Sequence, residues 1–129
     1  MKPATAKSKG RETENTVVEY LRKWVPLVER RRLQGVLDQG DISGWANVCV
    51  EVKSGAKLSV PQWLRELAVE KVNAKARLGF LAVRLNGKSR AEDFVVMMPL
   101  PEFMDLLEEA GYVPRLEDGD GTQERAVPV

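Results

Sequence analysis

The alternation of apolar and polar positions is clearest in the middle of the chain. Over residues 47–53 (Asn-Val-Cys-Val-Glu-Val-Lys), Val48, Val50 and Val52 share one face of an extended strand, and Cys49, Glu51 and Lys53 share the other. Upstream, Val17, Leu21, Trp24 and Val25 recur at helical spacing and predict a helix over residues 11–24, ended by Pro26. Glu14 lies three residues before Val17, which puts it on the inward stripe of that helix, where a carboxylate is unusual. Two short extended segments follow the run Arg30-Arg31-Arg32. One covers residues 33–37; the other starts at Asp41-Ile42 after a turn at Gln39-Gly40, with Gly44 as a bend.

Beyond the valine-rich strand, Ser54-Gly55 is a stop and Ser59-Val-Pro-Gln62 reads as a helix start. Ser59 is the cap, Pro61 suits the first turn, and Gln62 completes a capping box. This helix is predicted to run to about residue 77, with Leu64, Leu67, Ala68, Val72 and Ala76 facing inward and Gly79 stopping it. Residues 79–85 and 93–98 read as antiparallel strands about the Asn86-Gly87 turn. Pro99-Leu100-Pro101 opens a last helix to Ala110, ended by Gly111. The predicted order is α-β-β-β-α-β-β-α, with no internal repeat.

Composition narrows the chemistry. A chain of 129 residues, 43% of them apolar, suits one folded domain with a core. No apolar run approaches the roughly 20 residues needed to span a bilayer. The basic start, MKPATAKSKGR, lacks the apolar segment of a secretory signal. The expectation is a soluble cytoplasmic protein. Residues 1–9 are expected to form a basic flexible arm, residues 10–115 the folded domain, and residues 116–129 an acidic disordered tail. There is no histidine, which excludes Ser-His-Asp and Cys-His catalysis, histidine general bases and mixed Cys/His zinc sites. Cys49 is the only cysteine, so it forms no disulfide within the chain and is expected as a small buried filler. Carboxylates, lysine and a hard cation such as Mg²⁺ remain.

Net charge is +1, but the tail (Glu117, Asp118, Asp120 and Glu124 against Arg125) accounts for −3, leaving +4 elsewhere. Basic residues cluster at Lys2, Lys7, Lys9 and Arg11, at Arg30, Arg31 and Arg32, at Lys71, Lys75 and Arg77, and at Arg84, Lys88 and Arg90. Such clusters neutralise phosphates or simply keep a surface soluble. Lys9, Arg11, Arg30, Arg31, Arg32, Lys57 and Lys88 are the candidates for phosphate contacts, and so for DNA if the chain acts on nucleic acid. Trp63 is expected to stack on a base, face a dimer partner or pack in the core.

Asp41 opens one strand, and Glu51 and Lys53 share a face of the next. If those strands are neighbours, two carboxylates and an amine converge among valines, an expensive arrangement unless something pairs them. A divalent cation would do so, held by Asp41, Glu51 and the main-chain carbonyl of Val52. Mg²⁺ or Mn²⁺ suits few carboxylates and several waters. Lys53 would then orient the attacking water or offset phosphate charge, and Glu14 would bind a second metal or hold metal-bound water. A Glu-x-Lys triplet alone is also the mark of an ordinary cross-strand charge pair.

On these residues the chain resembles the PD-(D/E)XK nuclease superfamily, Gly40-Asp41 matching the PD element and Glu51-Val52-Lys53 the (D/E)XK element, with Gly40 in place of the usual proline. Within it, Lys9-Gly10-Arg-Glu-Thr-Glu14 is similar to the KGxxxE start of archaeal-type Holliday junction resolvases, which places Glu14, not Glu12, at the first acidic position. Trp63-Leu64, Asp93-Phe-Val-Val-Met-Met98 and Phe103-Met-Asp-Leu-Leu107 resemble small resolvase-like endonucleases of phages. The resemblance spans residues 9–107. It implies a restriction-endonuclease-like α/β domain with a central mixed five-stranded sheet flanked by helices. It also implies Mg²⁺ or Mn²⁺, and a homodimer cutting branched DNA such as four-way junctions. The alternatives are another nicking or structure-specific nuclease of this fold, or a catalytically inactive DNA-binding module.

Overall fold

The structure, a computed structural model, describes residues 6–32 and 37–116. Its elements are α1 (Ala6–Leu21), β1 (Glu29–Arg30), β2 (Ile42–Ser43), β3 (Val48–Ser54), α2 (Val60–Asn73), β4 (Leu78–Arg84), a 3₁₀ turn (Ala91–Asp93), β5 (Val95–Met97) and α3 (Leu100–Glu109). Apart from the 3₁₀ turn, this is the predicted order. Two compact units divide the chain, residues 1–97 and residues 98–129; the second contains α3. Among the described residues no helix is long and apolar enough to cross a membrane.

The first unit is layered helix–sheet–helix. β3 runs parallel to β4 with Glu51 opposite Leu81 and Lys53 opposite Val83, and β5 pairs antiparallel on the far side of β4. α2 is the crossover that a parallel β3–β4 pair requires. Val50 and Val52 pack with Ala82 against Val17 and Val18 of α1, together with Val28 and Ile42. On the opposite face Cys49, Leu81 and Val83 pack against Trp63 and Leu67 of α2. The period-two pattern of β3 thus divides the core as its sequence predicts.

The five-stranded sheet is corrected. Among the described residues there are two sheets: a ribbon of β1 and β2, and a mixed sheet of β3, β4 and β5 with β3 at its edge. In the ribbon, Glu29 pairs with Ser43 and Arg30 with Ile42. β2 is too short to extend along β3, and its ends bend at Gly40 and Gly44, both at positive φ. A side chain at Gly44 would collide with the Leu27 carbonyl, so the bend that stops β2 also seats the ribbon. Of the strand predicted over residues 33–37, residues 33–36 lie outside the described residues; the partner of β2 is β1, anchored by buried Val28.

Other boundaries shift for local reasons. α1 already includes residues 6–9, expected in the flexible arm, and it stops at Leu21 rather than residue 24. Pro26 disfavours helical geometry at the residue before it and brings no N–H. Trp24 is therefore 65% exposed and rests against Tyr20, with ring centroids 5.2 Å apart. α2 ends at Asn73, and Lys75, not Gly79, takes the left-handed conformation beyond it. Gly79 lies inside β4. Ser59 makes no side-chain cap bond. The tail beyond residue 116 lies outside the described residues.

Candidate functional site

Asp41 joins the ribbon to the sheet. Its N–H donates to the Val50 carbonyl at 3.0 Å, and its own carbonyl accepts the Arg31 N–H at 2.7 Å. Its carboxylate Oδ2 accepts the Val52 N–H at 2.8 Å. Asp41 thus sits along the free edge of β3, beside the residue between Glu51 and Lys53. Glu51 is 5% exposed on the α2 face, within hydrogen-bonding reach of the Asp41 and Glu70 carboxylates. The Lys53 ammonium lies 3.4 Å from Glu51 Oε2 and donates to Glu66 Oε2 at 2.8 Å. The three motif residues therefore meet, although the strands that carry them do not form one ladder.

Glu14 comes from the α1 layer on the other side of the sheet. It is half-buried, 3.7 Å from the Arg30 guanidinium. Burial and then the charge of Asp41 raise its pKa, against Arg30 and Arg11. It reaches the Asp41 side of the site. Glu12 is exposed on the outer surface of α1.

Two carboxylates on α2 were not anticipated from sequence. The inward stripe of this helix is Trp63, Leu67 and Glu70, rotated from the predicted Leu64–Leu67–Ala68–Val72 set; Val72 is 75% exposed. Trp63 takes the core position and turns Glu66 and Glu70 toward the face of β3 that carries Glu51 and Lys53. The signal was present, since Trp63, Leu67 and Glu70 recur at i, i+4 and i+7. Gln62, expected in a capping box, instead donates to Glu66 Oε1 at 3.1 Å and steadies the carboxylate that holds Lys53.

Glu70 is 2% exposed. With Glu51 and exposed Asp38 it forms a group whose carboxylate oxygens lie within 4.8 Å of one another and could hold a metal ion. Glu51 Oε1 and Glu70 Oε2 are buried and have no hydrogen-bond donor among the described residues. Facing carboxylates hydrogen bond only when one carries a proton; otherwise the pair calls for a cation. Burial, then Asp41 and Glu70, push the Glu51 pKa strongly up. Burial likewise pushes Glu70 up, to about 7, with Asp38 and Asp41 adding to it and the Glu51 contact opposing it. Lys53 is desolvated too, but its bond to Glu66 and the charges of Glu51 and Glu66 outweigh burial and keep it a cation.

The geometry at Gly40 does not suit a proline. It has φ +93°, and a Cβ there would meet Cys49 Sγ at 2.9 Å and the Val50 carbonyl at 3.1 Å. Proline, fixed near −65°, does not reach that conformation. Cys49 is buried against the loop, its thiol pushed up to about 12 by burial and by Glu70 and Glu51. It packs as a small core residue beside Leu67 and Leu81.

The basic candidates divide. Arg11 and Arg30 border an open groove of about 570 Å³ along α1. Arg31 and Arg32 border another, of about 480 Å³, beside the ribbon. Arg31 is a structural tie as well, donating to Gln39 Oε1 at 3.0 Å and the Ile42 carbonyl at 3.2 Å. Lys57 and Lys88 are exposed in the loops after β3 and β4, and Lys9 lies within α1. Trp63 is a core residue, 9% exposed. Comparison with protein-family models, curated proteins and solved structures finds no match.

Proposed function

We propose that the chain is a divalent-cation-dependent DNA endonuclease of the PD-(D/E)XK kind, a homodimer acting on branched DNA such as four-way junctions. The observation that carries this reading is the convergence of Asp41, Glu51 and Lys53 at the free edge of β3, through the Asp41–Val52 bond and the Glu51–Lys53 pair. An ordinary charge pair along one strand needs only Glu51 and Lys53; it gives no reason for a further carboxylate beside Glu51.

The residues fit a hard cation. Glu51 presents a buried oxygen with no donor, and Asp41 lies against it. The Val52 N–H points to Asp41, and in an extended residue the carbonyl leaves the strand on the same side, so Val52 offers its oxygen to that edge. Asp41, Glu51 and the Val52 carbonyl would hold Mg²⁺ or Mn²⁺, whose chemistry is to acidify water and neutralise phosphate charge. Lys53 supplies a fixed positive charge beside the same carboxylates, aimed by Glu51 and Glu66, to offset charge growing on the phosphodiester. Glu14 holds water on the Asp41 side. Arg11, Arg30 and Arg32 border open grooves and, with Lys57 and Lys88 in exposed loops, would offer phosphate contacts, and a second copy would place a second site on the opposite strand.

Labelled four-way, flap, linear and single-stranded DNA incubated with the protein and Mg²⁺ or EDTA tests this. Cleavage of the four-way junction with Mg²⁺, abolished by EDTA, is the expected result. A folded protein that cuts none of these with Mg²⁺ or Mn²⁺ would overturn it.

A further inference from the structure

We propose that Asp38, Glu51 and Glu70 hold a second divalent cation, on the α2 side of Glu51, so that Glu51 bridges it to the cation at Asp41 and Val52. The inference rests on the preceding reading for the first cation; the second position stands on its own residues. The three side chains offer oxygens within 4.8 Å of one another. Ligands on opposite sides of one cation, at bonds of about 2.0–2.6 Å, lie about 4–5 Å apart.

Glu70 points to a ligand independently of that cluster. It occupies a core position of α2, between the layer of Leu67 and the loop over Cys49, and its Oε2 has no donor. A carboxylate at such a position is costly without a partner. Lys53 does not supply it outright, because its ammonium is divided between Glu51 and Glu66. The loop is shaped around the carboxylate. A Cβ on Gly40 would stand 3.7 Å from Glu70 Oε2, in van der Waals contact, so the loop passes directly over the carboxylate. Asn73, one helical turn on from Glu70, donates to the Asp38 carbonyl at 2.8 Å and locks the loop onto α2. The Gly40 N–H fixes the Asp38 carboxylate at 3.0 Å. Asp38 is exposed, which leaves that side open for the waters such a cation retains. A second cation held by these residues would add positive charge for phosphodiester hydrolysis beside the first.

Counting bound Mn²⁺ by electron paramagnetic resonance tests this apart from activity. The full chain should take up two Mn²⁺. Glu70→Gln and Asp38→Asn should each lose one of them, with affinity for that ion falling tenfold or more. Asp41→Asn should lose the other, and Glu51→Gln should weaken both. Glu70→Gln removes a buried charge and keeps the shape. Asp38→Asn lies on the surface and keeps an oxygen for the Gly40 N–H, so it remains informative should the first variant fold poorly. Two Mn²⁺ retained by folded Glu70→Gln and Asp38→Asn would overturn the proposal, as would a single Mn²⁺ in the unaltered chain. Two ions bound by a protein that cuts no DNA would uphold the second position and remove the nuclease. Cleavage by a protein that binds one ion would do the reverse.

Discussion

Asp41 accepts the main-chain N–H of Val52 through its side chain, at 2.8 Å, at a point on β3 where a neighbouring strand would otherwise place a carbonyl. One contact thereby does two things. It ends the sheet at β3, and it fixes a carboxylate beside Glu51 and on the carbonyl side of Val52. The site exists because the ladder stops there.

The turn before Asp41 should not tolerate the motif's usual proline. Gly40→Pro demands a φ near −65° where the chain has +93°, and adds atoms where Cys49 Sγ and the Val50 carbonyl already stand. Strain of this kind costs about 1–3 kcal/mol. Thermal melting should fall by several degrees and Mn²⁺ uptake should weaken, because the loop carries both Asp38 and Asp41. An unchanged melting curve would mean that the loop relaxes freely.

The buried carboxylates set a pH dependence. Glu70 is raised from 4.5 to about 7, chiefly by burial, so the folded chain holds this proton more tightly than the unfolded chain. Its contribution is fully present below pH 4.5 and is lost as pH rises toward about 7. In EDTA, melting temperature should fall across that window, and Mn²⁺ should restore it at neutral pH. Glu70→Gln should flatten the fall, as melting curves at several pH values would reveal. An equal slope in the variant would place the titration elsewhere.

Much of this was legible in the sequence, and what was not has particular causes. The faces of β3 followed from the alternation of its valines, and the order of elements from Pro, Gly and periodicity. Asp41 meets the β3 edge through one main-chain bond to Val50 and a side-chain acceptor for Val52, a combination that no strand pattern encodes. Glu70 escaped because a carboxylate on an apolar stripe reads as solvated, and because Val72 made a plausible stripe that Trp63 displaced. Asp38 follows residues 33–36 and acts through loop geometry, where periodicity carries nothing.

The arginine run should separate by role. Arg30→Ala with Arg32→Ala should flatten the dependence of log K on log salt for junction binding, by about one unit for each phosphate no longer neutralised. Arg31→Ala should instead lower stability, by about 1–3 kcal/mol, since it frees the Gln39 side chain and the Ile42 carbonyl from a half-buried guanidinium. A salt slope unchanged in the double variant would put these arginines off the DNA path.

Glu14→Gln should slow cleavage while leaving junction affinity nearly unchanged. Its carboxylate is placed by Arg30 and feels Asp41, whereas Glu12 is exposed. Single-turnover rates with affinity measured in parallel decide the matter. Equal rates would give Glu14 only the Arg30 pair.

Lys53→Ala is the sharpest test of mechanism. Lys53 cannot ligate a cation while protonated, and its contacts with Glu51 and Glu66 keep it so. Its contribution should therefore appear in the transition state and not in the ground state. Removing one preorganised charge of this kind typically lowers the rate about 10²–10³-fold. Mn²⁺ uptake and junction affinity should survive, because Asp41, Glu51 and the basic surface are intact. Asp41→Asn should behave differently, losing rate because it loses metal, with partial rescue at high Mn²⁺. Had Lys53 served only to pair Glu51, its loss would lower stability, binding and activity together, and the remaining rate would track the folded fraction. A folded Lys53→Ala protein that cuts four-way junctions at the unaltered rate would remove Lys53, and with it the mechanism, from this site.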